Sequence, residues 1–186
     1  MATNLVEVIQ LNLQYPELKK IDPNLQDISR KETQSTVELL GQSGIPAVLT
    51  GLYKLSRTEE GCLKILNSGS DDDSISVLFN GNENQLSENV AKYAGVELNQ
   101  AESHLENIAD EALRLARELV GDKAEPLKLE QYMNGQRHSI LVYLPAALNL
   151  GYLLKDEGLD DKTNKMEGPV SSFMHSIENK FSGGGS

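Results

Sequence analysis

The chain contains no tryptophan, and its aromatic complement is three Phe and six Tyr in 186 residues. A core with so few rings must be filled by Leu, Ile, Val and Ala, as is usual in helical proteins. Cys62 is the only cysteine, so an intramolecular disulfide is excluded, which suits a reducing compartment. No run of about eighteen apolar residues occurs, which excludes direct insertion in a membrane as a spanning helix. The start, Met1-Ala2-Thr3-Asn4, has neither the basic region nor the long apolar region of a secretory leader. These absences set the expectation of a cytoplasmic protein.

Basic residues are scarce too: 17 Lys and Arg stand against 28 Asp and Glu, a formal charge of −11. Such a surface repels phosphate backbones and anionic lipid heads, so nucleic acid and peripheral membrane roles are not expected. A basic protein partner remains open, with solubility as the plain alternative.

What is present is helical periodicity. Across 99–120, Ala101, Leu105, Ile108, Ala109, Ala112, Leu113, Leu115, Ala116, Leu119 and Val120 recur at helical spacing. Glu106, Asp110, Arg114 and Glu118 fall on the opposite face. Asn99 with Glu102 fits a capping box, and Gly121 stands where a helix ends. This is the clearest helix, expected as a core element with Leu105, Ile108, Ala112, Leu115 and Leu119 inward. Asp110–Arg114 and Arg114–Glu118 are expected as i,i+4 pairs on its polar face.

Other segments follow the same logic. Thr3 can cap a helix through Leu5, Val6, Ile9 and Leu13, and Asp22-Pro23 is a second start signal. A helix over 30–40 turns Val37, Leu39 and Leu40 inward until Gly41-Gln42-Ser43-Gly44 interrupts it. Ile45, Val48, Leu49 and Leu52 begin another, with Pro46 in its first turn. Ser56 and Glu59 suggest a capping box before Cys62, Leu63, Ile65 and Leu66. Residues 75–79 before Asn80-Gly81 read as a helical turn or short extended link, because no matching strand follows. Ser87 opens a helix that stops at Gly95. A short helix ends before Gly135, another spans 136–144, and Pro145 breaks it before 146–154 resumes. Phe173, Met174, Ile177 and Phe181 share one face of a last helix. Residues 182–186, Ser-Gly-Gly-Gly-Ser, have a flexible-linker composition. The expected fold is therefore all-α, one compact multi-helix domain over 1–181. Val37-Glu38-Leu39-Leu40 with Ile45, and Leu105-Glu106-Asn107-Ile108 with Leu113, hint at two pseudo-repeated halves.

Several blocks together resemble a known family. Gly44-Ile45-Pro46-Ala47-Val48-Leu49-Thr50-Gly51-Leu52 with Glu60-Gly61 is the first. Val77-Leu78-Phe79-Asn80-Gly81-Asn82, Gly95-Val96, Gln136-Arg137-His138-Ser139-Ile140 and Leu144-Pro145-Ala146-Ala147-Leu148 follow in order. Over about 37–154 they resemble the bacterial YidB-like domain of unknown function 937. That family often has Ala-Pro in its central helix, where this chain has Glu111-Ala112-Leu113. The resemblance implies an all-α bacterial domain without established catalytic residues or cofactor. Some members are fused to an envelope-anchored, OmpA-like domain, which implies a tether through a further C-terminal region as the alternative location.

Chemical constellations are thin. His104, His138 and His175 lack partners at metal-ligand spacing, although His104 among Glu102, Glu106 and Asp110 could form a helix-face pair; a solvated face is the simpler reading. Cys62 sits in an apolar register, which suits a buried, inert thiol rather than a nucleophile. Asp71-Asp72-Asp73 and Asn80, Asn82 and Asn84 fail the EF-hand pattern. His138-Ser139 adjoins no glycine elbow, and Gly41 and Gly44 lack the Lys-Ser/Thr of a phosphate loop. No metal or cofactor is expected, and no enzyme. The remaining candidate is apolar: Ile45, Pro46, Val48, Leu144, Pro145 and Leu148 form two Pro-Ala segments flanked by aliphatics. These pack a core or line a groove for a partner helix or an apolar ligand. The expectation is a non-enzymatic protein-interaction or scaffold module. A lipid or apolar-ligand carrier is the alternative.

Overall fold

The computed structural model describes residues 4–21, 34–69, 72–121, 125–156 and 159. Every regular element among them is helical, so the chain is all-α. In order, α1 is Leu5–Asn12, α2 Thr36–Leu55, α3 Glu59–Asn67, α4 Ser74–Phe79, α5 Glu83–Ala94, α6 Leu98–Val120 and α7 Pro126–Leu141. A 3-10 turn, Ala146–Leu148, precedes α8, Leu150–Leu154. One apolar core runs through them all, from Leu5 to Leu159. No helix of the described residues is long and apolar enough to cross a membrane.

The central element is α2, not the helix that periodicity nominates. From Leu40 through Tyr53 every residue of α2 is buried, because α1, α4, α5, α6 and α7 all pack on it. A helix enclosed on every side has no polar stripe, so its periodicity is faint in the sequence. The expected interruption at 41–44 is absent; one helix continues through Gly41, Gly44 and Pro46. Glycine here makes room. A Cβ on Gly44 would stand 2.7 Å from Ile108 Cδ1 of α6, and one on Gly51 2.7 Å from Phe79 Cζ of α4. Glycine costs a helix interior about 1 kcal/mol, whereas each large apolar side chain buried beside it contributes roughly 2 kcal/mol.

Pro46 lies well inside α2 rather than in a first turn, and it has no N–H for the Gln42 carbonyl. The hydroxyls nearby are satisfied within the helix: Thr50 Oγ1 donates to the Pro46 carbonyl at 2.6 Å and Ser43 Oγ to the Leu39 carbonyl at 2.7 Å. The start of α2 is a capping box, with Ser35 Oγ accepting from Glu38 N–H and Glu38 Oε2 accepting from Ser35 N–H at 2.7 Å. Leu40 is buried, but Val37, expected to point inward, is 45% exposed in this first turn.

As expected, α6 is amphipathic. Leu105, Ile108 and Ala112 are buried and Leu115 is half-buried, on the side that meets α2, α3, α4 and α5, whereas Leu119, also expected inward, is only partly covered. Its N-cap is Glu97, without a side-chain cap bond, so the Asn99–Glu102 box is not the start; Asn99 is already inside the first turn. Gly121, with φ of +76°, ends it as anticipated. Residues 75–79 take the helical alternative as α4, closed by Asn80 in the left-handed region. Asn4 caps α1, Thr58 rather than Ser56 caps α3, and α5 begins at Glu83, ahead of Ser87. α7 continues through Gly135, and the segment after Pro145 divides at Asn149. The start signal at Asp22-Pro23, the helix around Phe173 and the 182–186 tail lie outside the described residues.

Residues 13–21 cross the helical body without regular structure, held by a buried amide. Gln42 Nε2 donates to the Lys19 carbonyl at 3.1 Å and to the Tyr143 carbonyl at 2.9 Å, while Gln42 Oε1 accepts from Lys19 N–H at 2.7 Å. One side chain thus ties the amino-terminal strap, the central helix and the turn after α7. Ile21 N–H donates to the Val142 carbonyl at 2.8 Å and completes the tie.

Candidate functional site

An open cleft of about 430 Å³ lies where the end of α1 and the strap meet the first turn of α2 and the outer face of α6. Leu13 and Tyr15 come from the strap, Val37 from α2, and His104, Asn107, Asp110, Glu111 and Arg114 from α6. The last set is spaced three and four apart, which puts it on one helix stripe. The polar residues that keep α6 soluble on its outer side therefore become one wall.

Tyr15 is the hinge of this arrangement. Its ring lies over Gly41, where a Cβ would come within 2.8 Å of Cδ1, and its hydroxyl is hydrogen-bonded to His104 Nδ1. Burial pushes the phenol up to about 12, so it is a neutral hydroxyl at physiological pH. Beside it, Asn12 Nδ2 donates to Glu111 Oε1 at 2.6 Å. Arg114 grips the same carboxylate with two donors, at 2.6 and 2.7 Å, and also bonds Glu118. The Arg114 hydrogen bonds hold the Glu111 carboxyl below the usual carboxylate range. Of the two expected i,i+4 pairs, Arg114–Glu118 forms. Asp110 turns away from Arg114 and accepts instead from the Ser74 hydroxyl at 2.6 Å.

Next to Asp110, Glu106 closes the amino end of α4 from outside, accepting from Ser74 N–H at 2.8 Å and Ile75 N–H at 3.1 Å. Burial raises its carboxyl above the ordinary value; Asp73 and Asp110 add to that, and the two N–H bonds only partly offset it. Glu106 thus places both oxygens on the amino end of α4, whereas Asp110 gives one oxygen to Ser74 and stays exposed. No group of three or more His, Cys, Asp or Glu among the described residues is placed to hold a metal ion.

The residues singled out from the sequence lie elsewhere. Ile45, Pro46, Val48, Leu144, Pro145 and Leu148 are all buried, and none lines the cleft. A partner or ligand could reach them only by displacing packed side chains. Cys62 is buried, with Sγ 3.1 Å from the Ser56 carbonyl. Burial, with Glu130 nearby, pushes its thiol up and keeps it in the unreactive protonated form. Of the cleft residues only His104 and Asp110 attract notice in the sequence as site residues. Tyr15, Asn107 and Glu111 carry no motif, because the strap and α6 are far apart in the chain. Val37 gives no signal either, because its stripe reads as core in the sequence.

No protein-family model, curated protein or solved structure matches this chain.

Proposed function

We propose that the protein is a non-enzymatic interaction module, with the strap–α6 cleft as its recognition surface. The observation that carries this reading is the pairing inside the cleft. Glu111 is shared by Asn12 and Arg114, Tyr15 is bonded to His104, and Asp110 is bonded to Ser74. Side chains fixed to one another in this way present a preformed surface, with exposed Val37 on its edge. A YidB-like relationship is compatible with the all-α architecture and with this reading. The apolar-ligand alternative has less support, since the Pro-Ala segments are packed rather than open.

Affinity purification from the cells that make the protein, followed by reconstitution with each purified candidate, tests the proposal. A stoichiometric complex is the expected result. Failure of every candidate to reconstitute, together with turnover of a small-molecule substrate by the purified chain, would overturn it.

A further inference from the structure

We infer that the cleft takes a basic protein segment, one that sets an aliphatic side chain beside Lys or Arg. The inference rests on the interaction reading above and adds the chemistry of the partner. Charge decides it. The cleft wall carries the carboxylates of Asp110 and Glu111 against one guanidinium, Arg114, which Glu118 also bonds, and Glu106 accepts from the same Ser74 that donates to Asp110. That guanidinium is already engaged by two of them, so an incoming cation meets net negative potential rather than an open positive charge. Asp110 is exposed, and the carboxylates of Glu106 and Asp73 beside it raise the local negative potential. A cation placed beside Asp110 and Asn107 relieves that repulsion.

The opposite side of the cleft is apolar. Half-buried Leu13 and 45%-exposed Val37 offer an aliphatic shelf for the stem of Lys or Arg, or for a neighbouring Leu. The same charge argues against other occupants. Two copies of a chain with formal charge −11 repel each other, and anionic lipid or nucleic acid is repelled for the same reason.

The test uses a synthetic Leu/Lys amphipathic peptide of about 18 residues, long enough to form a helix with two faces, and a Leu/Glu peptide of the same spacing. Asn107 is exposed and on the cleft wall, so Asn107→Lys and Asn107→Glu alter the charge without disturbing the core. Backbone amide shifts are followed in the intact chain. Saturable shifts centred on Val37, His104 and Asn107 are expected with Leu/Lys and none with Leu/Glu. Affinity should fall about fivefold in Asn107→Lys and rise about as much in Asn107→Glu, as for rim charges that flank a contact. Val37→Ser should weaken binding while leaving the salt dependence unchanged. Shifts scattered over the acidic surface, equal affinity for the Asn107 variants, or no binding at millimolar peptide would overturn the inference. So would a self-associated protein that dissociates in Asn107→Lys. If a reconstituted natural partner binds Asn107→Lys as well as wild type, the basic-segment inference fails while the interaction reading stands.

Discussion

Two glycines show how little the residue type says without its surroundings. A Cβ on Gly61 would lie 1.8 Å from the Leu55 carbonyl oxygen, a backbone atom that cannot step aside. At Gly135, inside α7 and exposed, nothing lies within 4 Å. Gly61→Ala should therefore lose about 3 kcal/mol, at the upper end for overpacking. Gly135→Ala should gain roughly 0.5–1 kcal/mol from helix propensity and a less flexible unfolded chain. Urea midpoints of the two variants check both signs. Glu111 offers a pH test. Its carboxyl is held low in the folded chain, so its stabilising contribution is present above the unfolded value of about 4.3 and is lost as pH falls through the folded one. In Glu111→Gln the decline in stability below about pH 4 should be shallower than in wild type, measured by denaturant midpoints along a pH series.

At the scale of elements, α2 and the strap carry the architecture. Replacing Gln42 by Leu keeps its volume but strands the Lys19 N–H and the Lys19 and Tyr143 carbonyls. The expected loss is about 2 kcal/mol, and it should be local. Amide exchange of Lys19 and Ile21 should accelerate well before that of α6, whereas uniform acceleration would mean that the tie is not separable from the core. The contrast between α2 and α6 also explains what could be read in advance. The amphipathic face of α6 is written plainly, from Leu105 to Ala112, because water on one side imposes a period. Enclosed α2 has no such contrast, and its glycines and Pro46 look like breaks unless Ile108 and Phe79 are known to fill the space. The cleft was illegible for a related reason. Its walls are joined by Asn12–Glu111 and Tyr15–His104, pairs that no local spacing connects. Val37 shares its stripe with core residues yet lies exposed, because a first-turn residue can sit beyond the edge of the core.

For the whole molecule, the formal charge of −11 is the dominant long-range term. Self-repulsion among these charges opposes the compact state and is screened beyond about 10 Å at 0.1 M salt. Raising NaCl from about 10 mM to 300 mM should raise Tm by a few degrees in scanning calorimetry. A fall in Tm would show that local pairs such as Arg114–Glu118 and Arg57–Asp156 outweigh the overall repulsion.

The tie at Gln42 also bears on the order of events during synthesis. Residues 5–21 are made well before the groups that hold them: Leu5 bonds Gln136, Asn12 bonds Glu111, Tyr15 bonds His104, and Ile21 bonds Val142. A ribosome must therefore release the chain through residue 143 before this segment can settle fully. Until then that segment waits beside a half-assembled body, and a turn made much later, after α7, is what locks it in place.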